Sequence, residues 1–261
     1  MNIFKNIRRT LFICLWALIG AGVIVMMVAA MNSRSQKTCS GYAIRVNDQS
    51  AGKWFLDKED ILRIITDNHK QKIKDRNLSS FELASLETKL EKQAWVKNAE
   101  LFFDNKGMLQ VRIIQREPIA RIFSVTGESF YIDSASHRLP LSDKITVKLP
   151  VFTGFPSDGR KLNAADKQLL RGIKQTSLFL LKEPFWMAQV AQIDITHTRE
   201  FEMVPTIGGH LVELGDASNL EQKFERLMLF YRQVLSKSGM DKYERIKVQY
   251  DRQVVGVKKT S

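Results

Sequence analysis

An uninterrupted apolar run near the start of the 261-residue chain limits its architecture more than any other feature. The run covers residues 11–31 and contains no charged side chain. At 1.5 Å rise per residue, about 20 apolar residues cross the hydrocarbon core of a bilayer as a helix. Lys5, Arg8 and Arg9 precede the run with no acidic residue to offset them, and basic flanks stay on the cytoplasmic side. We therefore predict a cytoplasmic N-terminus at residues 1–10, then a single transmembrane helix in contact with membrane lipid, with the remaining mass beyond the membrane.

A cleaved signal peptide is the alternative explanation of the apolar run. Ala29 and Ala30 are small residues of the kind found at cleavage sites. The apolar part of a signal peptide spans about 7–15 residues, however, and this run is longer. We favour an uncleaved anchor, followed by a polar linker at residues 32–39.

The formal net charge of +12 is spread along the chain rather than concentrated in one folded segment. Residues 1–37 carry five basic and no acidic side chains, whereas residues 38–123 and 124–257 have net charges of only +3 and +2. The other two positive charges lie in a basic tail at residues 258–261. Because a nucleic-acid-binding domain gathers its basic residues on one face or arm, we expect no nucleic-acid partner.

Residues 40–123 show the patterns of a small α+β domain. Period-two alternation near the start of this segment predicts a strand, and apolar residues spaced three or four apart predict two helices. Asp57 is a candidate N-cap of the first helix, and Ser79 with Glu82 is a candidate capping box of the second. Two further alternating segments flank a turn at residues 104–107 and predict a hairpin. The order strand, helix, helix, strand, strand predicts two helices on one face of a three-stranded sheet.

Three passages in this segment resemble the POTRA domain of the FtsQ/DivIB cell-division proteins. They are residues 94–101, 109–113 and 116–120, which read AWVKNAEL, LQVRI and REPIA. The family pattern is an aromatic-V-x-x-A motif, a hairpin, and then an E-x-P-x-A segment. The motif positions here are Trp95, Val96, Glu117 and Pro118, each of which also has a purely structural explanation.

Residues 124–257 continue the resemblance as a second, strand-rich domain. Residues 148–154, KLPVFTG, resemble a family stretch that ends in glycine. A long amphipathic helix is predicted from an apolar stripe made of Leu220, Phe224, Leu227, Tyr231 and Val234. A strand at residues 246–251 and an apolar continuation at residues 254–257 resemble the closing strand of the family. The predicted fold class is α+β: a single N-terminal transmembrane helix, a POTRA-like βααββ domain, and a mixed α/β, strand-rich domain.

The sequence contains no recognisable catalytic, metal-binding or cofactor-binding motif. The four histidines lack the spacing of a zinc site, and neither a phosphate-binding loop nor a dinucleotide-binding fingerprint is present. His210 alternates with Val212 and is predicted to be a solvated strand position. We therefore expect no enzymatic activity, no cofactor, no metal and no small-molecule substrate.

The resemblance implies a non-catalytic divisome scaffold that links early and late cell-division proteins during septum formation. Its implied partners are FtsB-like and FtsL-like proteins, and an FtsK-like protein is a further candidate. The implied location is the cell inner membrane, with the C-terminal domains in the periplasm. The partner-binding residues carried over from the closing strand are Tyr243, Ile246, Val248, Tyr250, Val254 and Val255.

The closing strand has two interpretations that the sequence leaves open. A strand at a sheet edge presents unpaired N–H and C=O groups that accept a strand from a partner. Alternatively, its apolar residues pack inward while Lys247, Arg252 and Lys258 keep the edge soluble. Two other functions also stay open: a POTRA-bearing membrane-anchored assembly or transport factor, and an anchored enzyme that acts on cell-wall material.

Overall fold

The computed structural model describes residues 16–27, 37–47, 55–68, 70, 72–142, 147–157 and 162–259. These residues separate into two compact units. The first contains the described residues up to 47 together with Leu56–Gln115, and the second contains Phe55 and the described residues from Arg116 onward.

The first described segment, residues 16–27, is a helix whose side chains are exposed. Within the described ranges, no helix is both long enough and apolar enough to cross a membrane. The predicted span also includes residues 11–15 and 28–31, which lie outside the described residues. The predicted cytoplasmic N-terminus and most of the predicted linker lie outside them as well.

The first unit has the predicted βααββ order, which confirms that part of the fold class. Its elements are β1 (Gly41–Asn47), α1 (Lys58–Ile65), a 3₁₀ turn (Leu78–Ser80), α2 (Leu83–Glu91), β2 (Val96–Phe103) and β3 (Met108–Gln115). The strand order in the sheet is β1-β3-β2. β1 runs parallel to β3, and β2 runs antiparallel to it. Helix α2 packs against β2 and against α1.

The starts of the two helices in this unit are capped differently. Asp57 Oδ1 accepts the N–H of Asp60 at 2.8 Å, and the Asp60 carboxylate accepts the N–H of Asp57 at 3.3 Å, so α1 has a complete capping box. The predicted box between Ser79 and Glu82 is wrong. Asn77 instead caps the 3₁₀ turn by accepting the N–H of Ser79 at 3.2 Å, and α2 begins after Glu82 without a side-chain cap.

The second unit is built on a nine-stranded mixed sheet with four α-helices among its described residues. The strands are β4 (Pro118–Ser124), β5 (Ser129–Asp133), β6 (Arg138–Leu139), β7 (Val151–Phe155), β8 (Val190–Ile195), β9 (Phe201–Pro205), β10 (Leu211–Gly215), β11 (Tyr243–Lys247) and β12 (Val255–Lys258). Their order is β12-β11-β10-β9-β8-β7-β4-β5-β6. The helices are α3 (Ala164–Lys182), α4 (Pro184–Gln189), α5 (Leu220–Phe230) and the short α6 (Ser236–Ser238). A π-helical turn (Tyr231–Leu235) connects α5 to α6.

Strand β4 belongs to this second sheet, where it pairs with β5 and β7. The division between the units therefore falls between Gln115 and Arg116. The boundary drawn from the sequence, after residue 123, falls at the end of β4 instead. The E-x-P-x-A passage that resembles a POTRA segment thus opens the first strand of the larger sheet.

The helices and strands of the second unit share one hydrophobic core. Leu220, Phe224, Leu227 and Tyr231 are buried in it, as the apolar stripe predicted. Val234 is only half-buried, and Leu235 takes the buried position after Tyr231. The π-helical turn explains this shift, because its wider turn moves the inward-facing position one residue further along the chain.

Candidate partner-binding edge

The chain closes in an antiparallel hairpin rather than in one long strand. β11 pairs in parallel with β10 on one side and antiparallel with β12 on the other, so β11 is an internal strand. Among the described strands, β12 has β11 as its one neighbour and stands at the end of the sheet. The prediction of a closing strand over residues 246–251 is therefore wrong in its bounds, and the sheet edge is the apolar continuation.

The hydrogen bonds show which backbone groups of β12 face outward. The N–H of Lys259 donates to the carbonyl of Lys242 at 3.2 Å, on the β11 side. The pairs Tyr243↔Lys258 and Arg245↔Val257 place the bulge on β11, so β12 alternates without interruption. Successive residues of a strand direct their backbone groups to opposite sides. The N–H and C=O groups of Gly256 and Lys258 therefore point away from β11.

The predicted partner-binding residues divide into a buried group and an exposed group. Ile246 and Val248 are completely buried in the core. Tyr243 and Val254 are half-buried and pack against that core. Tyr250 and Val255 are 43% and 38% exposed. Val257, which is not among the predicted residues, is 37% exposed and shares a strand face with Val255.

The turn between β11 and β12 is tied down from two directions. Arg226 on α5 donates through Nη2 to the carbonyl of Val248 at 3.0 Å and to that of Tyr250 at 3.3 Å. The N–H of Val248 donates to the carbonyl of Glu213 on β10 at 3.0 Å. Gly256 allows β12 to lie close to β11, since a Cβ there would come within 2.6 Å of the Tyr243 ring. These contacts hold the edge strand in place.

Charged side chains form a ladder across β9, β10 and β11, on the face of the sheet opposite to Ile246. Arg245 Nη1 lies 2.8 Å from carboxylate oxygens of both Glu202 and Glu213, and Lys247 Nζ lies 3.1 Å from Glu213. Burial alone would raise the pKa of Glu213, but the hydrogen bonds from Arg245 and Lys247 outweigh it and hold that pKa below its usual value. The ladder therefore ties β9, β10 and β11 together through paired charges.

His210, which directly precedes β10, is a buried residue, so its predicted solvated position is wrong. It is 2% exposed, and its Nε2 lies 2.8 Å from the Tyr231 hydroxyl. Burial lowers the pKa of His210. The negative charge of Asp241 opposes that shift, and Nδ1 has no hydrogen-bond partner among the described residues. A neutral His210 thus links the segment before β10 to the π-helical turn that follows α5.

The described residues contain no cluster of three or more histidine, cysteine or acidic side chains that could hold a metal ion. The closing segment instead presents the unpaired backbone N–H and C=O groups of an edge strand. Gly256 and Lys258 supply outward hydrogen-bonding groups, and Tyr250, Val255 and Val257 supply exposed apolar area beside them. Such an edge suits an added strand from another chain.

The matches to known proteins follow the same two-unit division. A POTRA-like domain model matches residues 37–114, and the model described as FtsQ/DivIB, C-terminal related, matches residues 117–257, over half of the chain. The cell division protein FtsQ of Salinibacter ruber (strain DSM 13855 / M31) is 28% identical over 173 residues, which cover 64% of this chain and 66% of that relative. The chain thus spans just under two thirds of that relative. The chain belongs to the FtsQ/DivIB family.

Proposed function

We propose that this chain is a non-catalytic scaffold of cell division that binds FtsB-like and FtsL-like partners during septum formation and links early to late division proteins. Family membership and the name of the relative from Salinibacter ruber support a role in division. The observation that carries the proposal is the outward-facing backbone of β12, at Gly256 and Lys258, at the end of a nine-stranded sheet.

The proposed binding mode is addition of a partner strand to β12. Tyr250 and Val255 then contact the partner directly, because their side chains are exposed next to the edge. Tyr243, Ile246, Val248 and Val254 act from beneath, by holding the hairpin against the core. This division of roles combines the two interpretations that the sequence left open.

The proposed setting is the cell inner membrane. The support for it is the charge-free run at residues 11–31 and its basic N-terminal flank. In this arrangement membrane lipid surrounds the run, residues 1–10 lie in the cytoplasm, and both folded units lie in the periplasm. The POTRA-like unit then contributes to recruitment, with an FtsK-like protein as a candidate partner.

Lys258→Pro tests strand addition, because proline removes the outward N–H of β12 without removing a bond to β11. We expect the intact chain to retain FtsB-like and FtsL-like proteins in a pull-down from detergent-solubilised membranes. The amount that the proline variant retains should be at least about tenfold lower. Lys258→Ala is the matched control. It removes the same charge but keeps the N–H, so it should bind like the intact chain.

Circular dichroism must show that the proline variant is folded before its binding is interpreted. Equal retention by the folded proline variant and the intact chain would contradict strand addition at β12. If the intact chain retains no division protein at all, the scaffold proposal fails, and a POTRA-bearing assembly or transport factor takes its place.

A further inference from the structure

In the first unit, two glutamates of α2 form hydrogen bonds with the backbone of an edge strand. The N–H of Leu101 donates to Glu87 Oε1 at 2.7 Å, and the N–H of Ala99 donates to Glu91 Oε1 at 3.4 Å. Both donors belong to β2, which stands at one end of the order β1-β3-β2. Because β3 lies on the other side of β2, these two N–H groups are the ones that a further strand would need.

The spacing of the two elements explains why one helix reaches both donors. Ala99 and Leu101 are two residues apart on a strand, which is about 6.7 Å. Glu87 and Glu91 are four residues apart on a helix, which is about 6 Å along its axis. The two repeats match closely enough for successive turns of α2 to serve alternate residues of β2. Hydrogen bonds to a carboxylate are also stronger than those between neutral groups.

We infer that Glu87 and Glu91 close the β2 edge, and that without them β2 pairs with β2 of a second copy of this chain. Exposed edge strands pair readily with other chains unless something occupies them. A second copy is the fitting occupant because two β2 strands meet antiparallel about a two-fold axis, with the same donors freed on both. Val96, Ala99 and Leu101, which are buried on one face of β2, would then continue across the junction.

This inference does not depend on the proposed function, since it concerns the other unit and a different strand. It also gives the glutamates a role that helix propensity does not explain. Neither residue lies within an ion pair in the described part of the chain. Their carboxylates are instead directed at backbone N–H groups of the strand.

The double substitution Glu87→Ala and Glu91→Ala tests the inference in the purified full chain in detergent. Sedimentation velocity over a hundredfold range of concentration should show the mass rising reversibly to twice that of the unaltered chain. At the lowest concentration, amide exchange at Leu101 should be about tenfold faster, since a charge-assisted hydrogen bond has been lost. Alanine favours helix formation, so α2 should persist.

The matched control is the double substitution Glu87→Gln and Glu91→Gln. Glutamine keeps a carbonyl oxygen that accepts the same hydrogen bonds, so this variant should keep the mass of the unaltered chain. An alanine variant with unaltered mass at every concentration overturns the inference, and so does unaltered exchange at Leu101. If the double alanine variant does not fold, Glu87→Ala alone is judged by the same two results.

Discussion

Replacing Ile246 with alanine should lower the free energy of unfolding of the second unit by about 2–5 kcal/mol. Ile246 is completely buried, and it lies on β11 between Val212 of β10 and Gly256 of β12. The shortened side chain leaves a cavity at the junction of three strands, which the surrounding backbone cannot close. Urea denaturation of the full chain should show the midpoint of this unit lowered by about 1 M or more.

Val255→Ala is the control for this prediction, because both residues were assigned to partner binding from the sequence. Val255 is 38% exposed on the edge strand, so its truncation should change stability by about 0.5 kcal/mol or less while weakening partner retention. Ile246→Ala should reduce retention in proportion to the unfolded fraction. Normal stability with lost binding in Ile246→Ala would contradict its assignment to the core.

Replacing Gly154 with alanine should destabilise the second unit by about 2–5 kcal/mol. Gly154 has φ +78°, and an added Cβ would lie 2.7 Å from the carbonyl oxygen of Ile195. That oxygen belongs to the backbone of β8, which pairs with β7, so it cannot rotate away as a side chain would. The cost therefore combines a left-handed backbone with a forced movement of two central strands. Thermal or urea unfolding measures it.

Gly127→Ala separates these two contributions. Gly127 also has a positive φ, +92°, but no atom lies within 4 Å of the position of its added Cβ. Its substitution should therefore show the backbone cost alone, about 1–2 kcal/mol. Equal destabilisation by the two substitutions would contradict the proposed clash with Ile195.

The general fold could be predicted from hydrophobic periodicity, whereas only one of the two predicted caps, Asp57, is present. The stripe from Leu220 to Tyr231 and the βααββ order both follow from spacing that only one secondary structure satisfies. The capping box at Ser79 failed because Asn77, two residues earlier, captured the N–H of Ser79 and started a 3₁₀ turn. Two polar residues that compete for the same backbone donors cannot be ranked from sequence alone.

The family resemblance placed the candidate site in the closing segment, but the sequence did not indicate which residues form the sheet edge. His210 shares a strand face with Val212 and Leu214, so period-two alternation already indicated burial, and only the polarity of its side chain argued against it. The hairpin between β11 and β12 lacked a glycine signal, because the positive φ in its turn belongs to Arg252. Without that turn, Gly256 and Lys258 could not be recognised as the outward-facing positions of the edge.

Amide exchange of the full chain, alone and in complex with the proposed FtsB-like and FtsL-like partners, tests the central claim most directly. Strand addition predicts that exchange at Gly256 and Lys258 slows at least about tenfold in the complex. The N–H groups of Val255 and Val257 face β11 in both states, so their exchange should change much less. Unchanged exchange at Gly256 and Lys258 in an intact complex would contradict binding at the β12 edge.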